Sequence, residues 1–368
     1  MVVACVMVAT SALAGGGAHA ARRGGNERRH VPSRIPRDCS VDVTDSLNSW
    51  IDGIPDGSIA VLPRRACYRI DGTLVIENRR NLTIRGRGTT FRAVTAGDLE
   101  RRHIRIVDGG HIRISDIIVR GANPQAGLGD NAWDADYAFQ HAFALNGVQG
   151  AVLNHVRAFD VYGDFVYIGS NYDRVPSRNI RIVNSTFDRN GRQGIAIVSA
   201  DGVLIKGNTI ANVRQAVIDI EPNIREWTVN DVRIVDNRLG PRRISVLSAA
   251  AYGSVTNVTF KGNTIVGTMR AIVQAKAQEI AYSGFTFTRN RATETATSST
   301  VIMGFTHTND IYLANNTFTF TSGGVTDLMG LSNANHVLVE DNDLSGVDEI
   351  FVVRDNESSD YVERNNIT

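Results

Sequence analysis

From about residue 80 onward the chain repeats one pattern: a short run of alternating apolar and polar residues, then a polar residue, usually Asn, then a small or apolar pair. NIRIVNSTF, GVLIKGNTI, DVRIVDNRL, NVTFKGNTI and IYLANNTFTF are instances. Alternation with period two marks a strand with one buried face. Aligned on the central Asn, the runs place Asn184, Asn208, Asn237, Asn263, Asn290, Asn316, Asn342 and Asn366 in register, at spacings of 24, 29, 26, 27, 26, 26 and 24 residues. A repeat of this period signals a solenoid. The runs are rich in Val, Ile and Thr, with no helical segment between them, which argues against a leucine-rich repeat. The fold class read from the pattern is all-β: a single-stranded right-handed parallel β-helix whose coils stack about 4.8 Å apart with Val and Ile inside. The recurring Asn sits at a turn, where its side chain can bond the backbone of the next coil and tolerate left-handed geometry. His155 takes the ladder position one coil earlier. Asn series and His155 alike are read as scaffold.

A solenoid must close its open ends. Thr44–Asp52 (TDSLNSWID) puts Leu47, Trp50 and Ile51 on one helical face behind Thr44 as N-cap, and is read as a short N-terminal capping helix. Residues 1–20 read as a signal peptide: the apolar stretch is too short to span a bilayer, and Ala18, His19 and Ala20 fit a small-x-small cleavage site. Residues 21–38 are polar and Arg-rich, a flexible lead-in, and residues 39–368 form the solenoid domain. In an exported chain Cys39 and Cys67 are read as one disulfide. It closes a loop of roughly 30 residues and stabilises by about 3–4 kcal/mol in the chain-entropy account.

Composition narrows the partners. Lys and Arg (39) nearly balance Asp and Glu (38), and no basic run lies beyond residues 22–34, so nucleic acid is not an expected partner. No transmembrane segment is expected. No Walker motif, dinucleotide fingerprint, zinc spacing or nucleophile elbow is present, so no cofactor is called for.

The candidate chemistry lies in YGDFVYIG (162–169), GRQGIAIVS (191–199) and RQAVIDIEPN (214–223). Phe143 with Leu145, Val166 with Ile168, Ile195 with Ile197, Ile218 with Ile220, and Ile244 with Val246 align as inward pairs. One outward column then reads Ala144, Tyr167, Ala196, Asp219, Ser245, and the next Asn146, Gly169, Val198, Glu221, Leu247. The turn before the strand reads His141, Asp164, Gln193, Ala216, with Arg189 and Arg192 beside it. Asp164, Asp219, Glu221, Tyr167 and His141 are thus candidate catalytic residues, and Arg192, Gln193 and Arg189 candidate substrate-binding residues. Ala144, Gly169, Gly194 and Ala196 are expected to leave room above the patch. Asp219 and Glu221 stand roughly 6.5–7 Å apart along one strand, and Asp164 lies roughly 9–10 Å away along the axis. Inverting glycosidases hold acid and base about 6.5–9.5 Å apart. Simple surface pairing of Asp219 and Glu221 with Arg192 or Arg214 is the competing reading. The loop GDNAWDADYAFQH (129–141) leads into the patch. Trp133 and Tyr137 could stack on a sugar, and Asp130, Asp134 and Asp136 could hold calcium, although their spacing matches no complete calcium loop.

With YGDFVYIG, NGRQGIAI and IDIEPN in this order, the chain resembles the pectin-lyase-like superfamily of secreted right-handed β-helix proteins over about residues 40–368. That superfamily includes pectate lyases, polygalacturonases, alginate lyases and epimerases, and phage tailspikes, with sites on an outer groove. The resemblance implies a secreted protein acting on an extracellular polysaccharide. The polygalacturonase residue set and the calcium site of pectate lyases are both absent, so no catalytic residue carries over. The sequence reading favours hydrolysis by the carboxylates. A lyase or epimerase would use Tyr167 or His141 as base, with Arg192 neutralising a uronate. A carbohydrate-binding surface protein without turnover is the third reading. Oligomeric state is not readable from the sequence.

Overall fold

The computed structural model describes residues 27–368 except 242–243, 268–269, 296–300, 321–326, 346, 348 and 355–356. The chain winds as a parallel solenoid with three faces, and every strand pairing is parallel. Strands of the first face include Gln149–Asn154, Ser177–Val183, Ala200–Lys206 and Thr228–Val235. The second face carries Arg157–Val161, Thr186–Asn190 and Thr209–Ala211. The third carries Ile104–Val107, Phe143–Asn146, Val166–Gly169, Ile195–Ile197, Ile218–Ile220 and Ser245–Ala249. Longer strands such as Gly110–Arg120 bend from the first face onto the second.

Alternation does what the sequence predicts. Phe143, Val166, Ile195 and Ile218 pair coil by coil and are fully buried. Each such side chain contributes about 1.5–3 kcal/mol through burial. The register slips at the next coil, where Ile218 pairs with Leu247 and Asp219 with Ser248. The expected inward pair Ile244 and Val246 is therefore three residues early, because the preceding turn is longer than repeat spacing suggested. Ser248, not Ser245, continues the outward column.

The Asn ladder is real but one position differs. Asn208, Asn237, Asn263, Asn290, Asn316 and Asn342 are buried, and each donates its backbone N–H to the Oδ1 of the next, ending at Asn366. Each also donates from Nδ2 to a carbonyl of an earlier coil, as Asn237 does to Ile205. One coil before Asn208 the ladder position belongs to Ser185, not Asn184. Asn184 and His155 instead occupy the adjacent column with positive φ (52° in both), together with Gly207, Asp236 and Gly262. Two consecutive Asn-like columns with different work explain the misalignment: one makes the left-handed turn, the next bonds between coils.

At the N-terminal end, Thr44–Asp52 is a helix that buries Leu47 and Ile51 and half-buries Trp50. These three line one small cavity with the core residues Leu62, Leu74 and Ile76, so the helix plugs the open coil. Thr44 is not its cap. Val43 occupies the N-cap position, and Asp42 Oδ1 accepts both the Thr44 N–H (3.0 Å) and its hydroxyl (2.6 Å). Cys39 and Cys67 are disulfide-bonded. The lead-in is shorter than expected: Arg28–His30 pairs with Ile59–Val61, and Val31 and Ile35 are buried. The expected signal segment, residues 1–20, lies outside the described residues. No helix among the described residues is long and apolar enough to cross a membrane.

Candidate active site

The site forms where the second face turns into the third. Register sets Arg102, His141, Asp164, Gln193 and Ala216 side by side in the turn, one per coil. It sets Arg105, Ala144, Tyr167, Ala196, Asp219 and Ser248 in the first outward column. Two of these, Arg102 and Arg105, escaped the sequence reading. Their coil precedes the insertion of residues 121–142, which breaks the spacing, although HIRIV carried the alternation.

Asp164 is the hub. It is fully buried. Its Oδ1 accepts the Gln193 N–H (2.9 Å), its Oδ2 accepts Arg192 Nη1 (2.8 Å), and its backbone N–H reaches His141 Nδ1 (3.0 Å). His141 Nδ1 also lies 3.2 Å from Asp164 Oδ2. Arg192 continues from Nη2 to Glu221 Oε1 (2.9 Å), and Gln193 Nε2 donates to Asp219 Oδ2 (2.6 Å). One network thus joins all three candidate carboxylates. Burial above all, and then Glu221, push the Asp164 carboxyl up to about 7 against the pull of Arg192. Asp164 in turn raises Arg192. The close contact with Arg192 and the second donor, the Gln193 N–H, favour the ion pair at neutral pH. Asp219, nearly as buried, is pushed up to about 8 by burial and by Glu221, against its bond from Ser248.

Tyr167 and His141 stack at 5.0 Å between centroids and 11° between planes. Burial lowers the imidazole well below its ordinary range, with Arg192 adding to it, so the ring is neutral. Burial pushes the Tyr167 phenol up to about 12, with Glu221 and Asp164 adding to it. Gly169 is the seat of this ring: a Cβ there would lie 2.7–2.8 Å from Tyr167 Cε1 and Oη. The small residues therefore leave no open space. Ala144 and Ala196 are buried, and a Cβ at Gly194 would strike the Val217 carbonyl at 2.2 Å.

Beneath His141 lies a buried polar layer that the sequence reading missed. His103 directs both its N–H (2.9 Å) and Nδ1 (3.0 Å) to the His141 carbonyl. Burial, helped by Arg101, pushes its imidazole down to about 3. Arg101 donates to Gln140 Oε1 and to the Thr95 carbonyl (2.7 Å each). Gln140 interrupts the largely apolar YAFQHAFAL, whereas Arg101 and His103 lie in the charged stretch ERRH and carry no such signal.

A cleft of about 260 Å³ opens beside Tyr167 and His141, with Arg102, Arg105, Phe139 and Trp227 on its walls. Arg105 Nε and Trp227 Nε1 are buried donors without a hydrogen-bond partner. Arg105 also lies 5.5 Å over the ring of Tyr172. The other candidates fall elsewhere. Arg189 pairs with Asp160 and Asp188 on the second face (2.9 and 2.7 Å). Tyr137 packs on Tyr162 at 4.8 Å, and Trp133 follows a short turn at Asp130–Ala132 outside the cleft lining. The loop carboxylates are not gathered: Asp130 faces Arg214 at 3.7 Å, and Asp134 accepts the Asp136 N–H at 3.0 Å. No group of three metal-ligating side chains occurs among the described residues.

Residues 141–344, more than half of the chain, match the family described as right handed beta helix region. The chain belongs to this right-handed β-helix family. No curated protein sequence matches it. Among solved structures it is similar to the family 28 exopolygalacturonase of Yersinia enterocolitica (12% identity, TM-score 0.59, 93% of this chain and 78% of that one). It is likewise similar to the A-module of the Azotobacter vinelandii mannuronan C-5 epimerase AlgE4 (12%, 0.57, 90% and 99%). A third is the tailspike gp49 of Acinetobacter baumannii bacteriophage Fri1, a capsular polysaccharide depolymerase (15%, 0.60, 93% and 63%). At these identities the likeness is one of fold, and the β-helix carries different chemistries.

Proposed function

We propose that this β-helix protein acts outside the cell on a uronate-containing polysaccharide, with His141 and Tyr167 transferring the protons. The observation that carries this reading is the cleft itself. It opens onto the two stacked rings and is walled by Arg102 and Arg105, while Asp164 is enclosed by Arg192, Gln193 and His141. Asp164 is thereby a positioning residue rather than the acid or base of the sequence reading. Arg192 already serves two carboxylates. Arg105 has no carboxylate partner among the described residues and is the better group for a uronate carboxylate, which it would neutralise to acidify C5–H.

In the proposed β-elimination the C5–H bond breaks and its proton passes to His141 Nε2. That nitrogen has a free lone pair only in the tautomer whose Nδ1 proton is given to Asp164 Oδ2 (3.2 Å); in the tautomer whose Nδ1 accepts the Asp164 N–H (3.0 Å) the proton sits on Nε2, so the step requires the first arrangement. The electron pair forms the C4–C5 double bond, the C4–O bond breaks, and the leaving oxygen takes the Tyr167 phenol proton. Solvent then returns a proton from His141 to Tyr167. A phenol raised to about 12 by burial is protonated at neutral pH and so has the proton to give. Both rings approach from one side, which favours loss of H5 and O4 on the same face. The disulfide fits an oxidising, extracellular setting. A second reading, hydrolysis, draws on Asp219, kept protonated into the neutral range beside Glu221.

A screen of polyuronates and neutral glycans tests the proposal. Ultraviolet-absorbing unsaturated ends support elimination. Reducing ends without that absorbance support hydrolysis, inversion at C5 without cleavage supports an epimerase, and binding without turnover sinks all three.

A further inference from the structure

A second cleft of about 420 Å³ lies on the second face, lined by Arg92, Arg120, Arg189, Asp160 and Asn123, and shares no residue with the cleft over Tyr167. Register explains its charge. Arg69, Arg92 and Arg120 are direct partners on three successive coils, in one outward column. The next position is Phe159, over whose ring the Arg189 guanidinium lies at 6.0 Å. Like charges stacked on neighbouring strands repel, and the fold offsets only part of that. Arg69 has Asp71 at 2.6 Å. Arg120 and Arg189 share Asp160, at 3.3 and 2.9 Å. Arg92, between them and exposed, has no carboxylate partner among the described residues. Cations repeat along this column once per coil, about 4.8 Å, a rise close to the length of one pyranose unit. An aromatic ring closes the row.

We infer that this column is an accessory site for an extended anionic polysaccharide strand running along the solenoid axis, each carboxylate meeting one guanidinium. It requires no catalysis at Tyr167 and stands if the proposed reaction fails.

Affinity electrophoresis of the full chain through gels containing polygalacturonate, polyphosphate or dextran, at low salt, tests it. The parent carries Arg105→Gln, to weaken the first cleft. Polygalacturonate should retard this parent. Adding Arg92→Gln and Arg120→Gln should weaken the retardation by roughly tenfold, and Arg92→Lys with Arg120→Lys should restore most of it. Arg92 and Arg120 are exposed and Arg105 is half-buried, and an unchanged melting temperature verifies the fold of each variant. Three results would each overturn the inference: equal retardation of the Gln variant and its parent, loss of all retardation in the Arg105→Gln parent, or polyphosphate acting as strongly as polygalacturonate.

Discussion

The His141 imidazole lies flat against the Tyr167 phenol, 5.0 Å between centroids, and the Asp164 backbone and side chain hold it from the far edge. Two neutral proton carriers are thus placed side by side over the same cleft. Tyr167→Phe removes only the phenol proton and should lower kcat by about 10²–10⁴ on an identified substrate, with KM little changed. His141→Gln should do the same. Steady-state kinetics of both variants is the check, and full activity in either removes that residue from the chemistry.

Asp164 is enclosed and meets Arg192 at 2.8 Å. Asp164→Ala leaves Arg192 with Glu221 alone and a buried guanidinium edge without its partner. The expected loss of stability is about 3–5 kcal/mol. In a double-mutant cycle, Arg192→Met should cost much less once Asp164 is gone, because the two act as a unit. Additive losses in denaturant titrations would argue against the hub.

For Asp219 the folded carboxyl sits near 8, above its ordinary 3.8. The folded state therefore holds a proton that the unfolded state releases. The stability this contributes is full below the ordinary value and is lost as pH rises through about 8. Asp219→Asn should flatten the decline in melting temperature between roughly pH 4 and 8 and raise it at the alkaline end. A steeper decline in the variant contradicts the assignment.

Along the ladder, Asn237→Ala strips Asn208 of the acceptor for its N–H and Nδ2 and strips the Ile205 carbonyl of a donor. Each orphaned buried group costs about 1–3 kcal/mol. Asn366→Ala, in the last, more exposed coil, should cost distinctly less. Guanidinium unfolding of the two variants tests the difference.

Much of this architecture was legible because it is periodic. Val166, Ile195 and Ile218 announce themselves by alternation, and Asn208 to Asn366 by spacing. Tyr167, Asp164, Arg192 and Glu221 stood out as polar groups in otherwise repetitive strands, and the structure gathers them. What failed was aperiodic. The longer turn before Leu247 shifted one coil. Asn184 was mistaken for its neighbour Ser185 because Asn suits both a left-handed turn and a ladder. Arg102, Arg105, Phe139 and Trp227 reach the cleft from segments whose length no repeat dictates.

The ladder also has a consequence for where the coils of this chain can differ in length. Its hydrogen bonds bind the corner between the first and second faces, where an added residue would displace the Asn from its partners above and below. The corner between second and third faces carries a shorter row, in which the N–H groups of Asp164, Gln193 and Ala216 bond to the side chains of His141, Asp164 and Gln193, and it absorbs segments as different as residues 121–142 and 162–165 without disturbing the pairing of Phe143 with Val166. One corner thus keeps a constant count of residues from coil to coil, and the other takes segments of different length. New walls can be added there while the Asn row keeps its register.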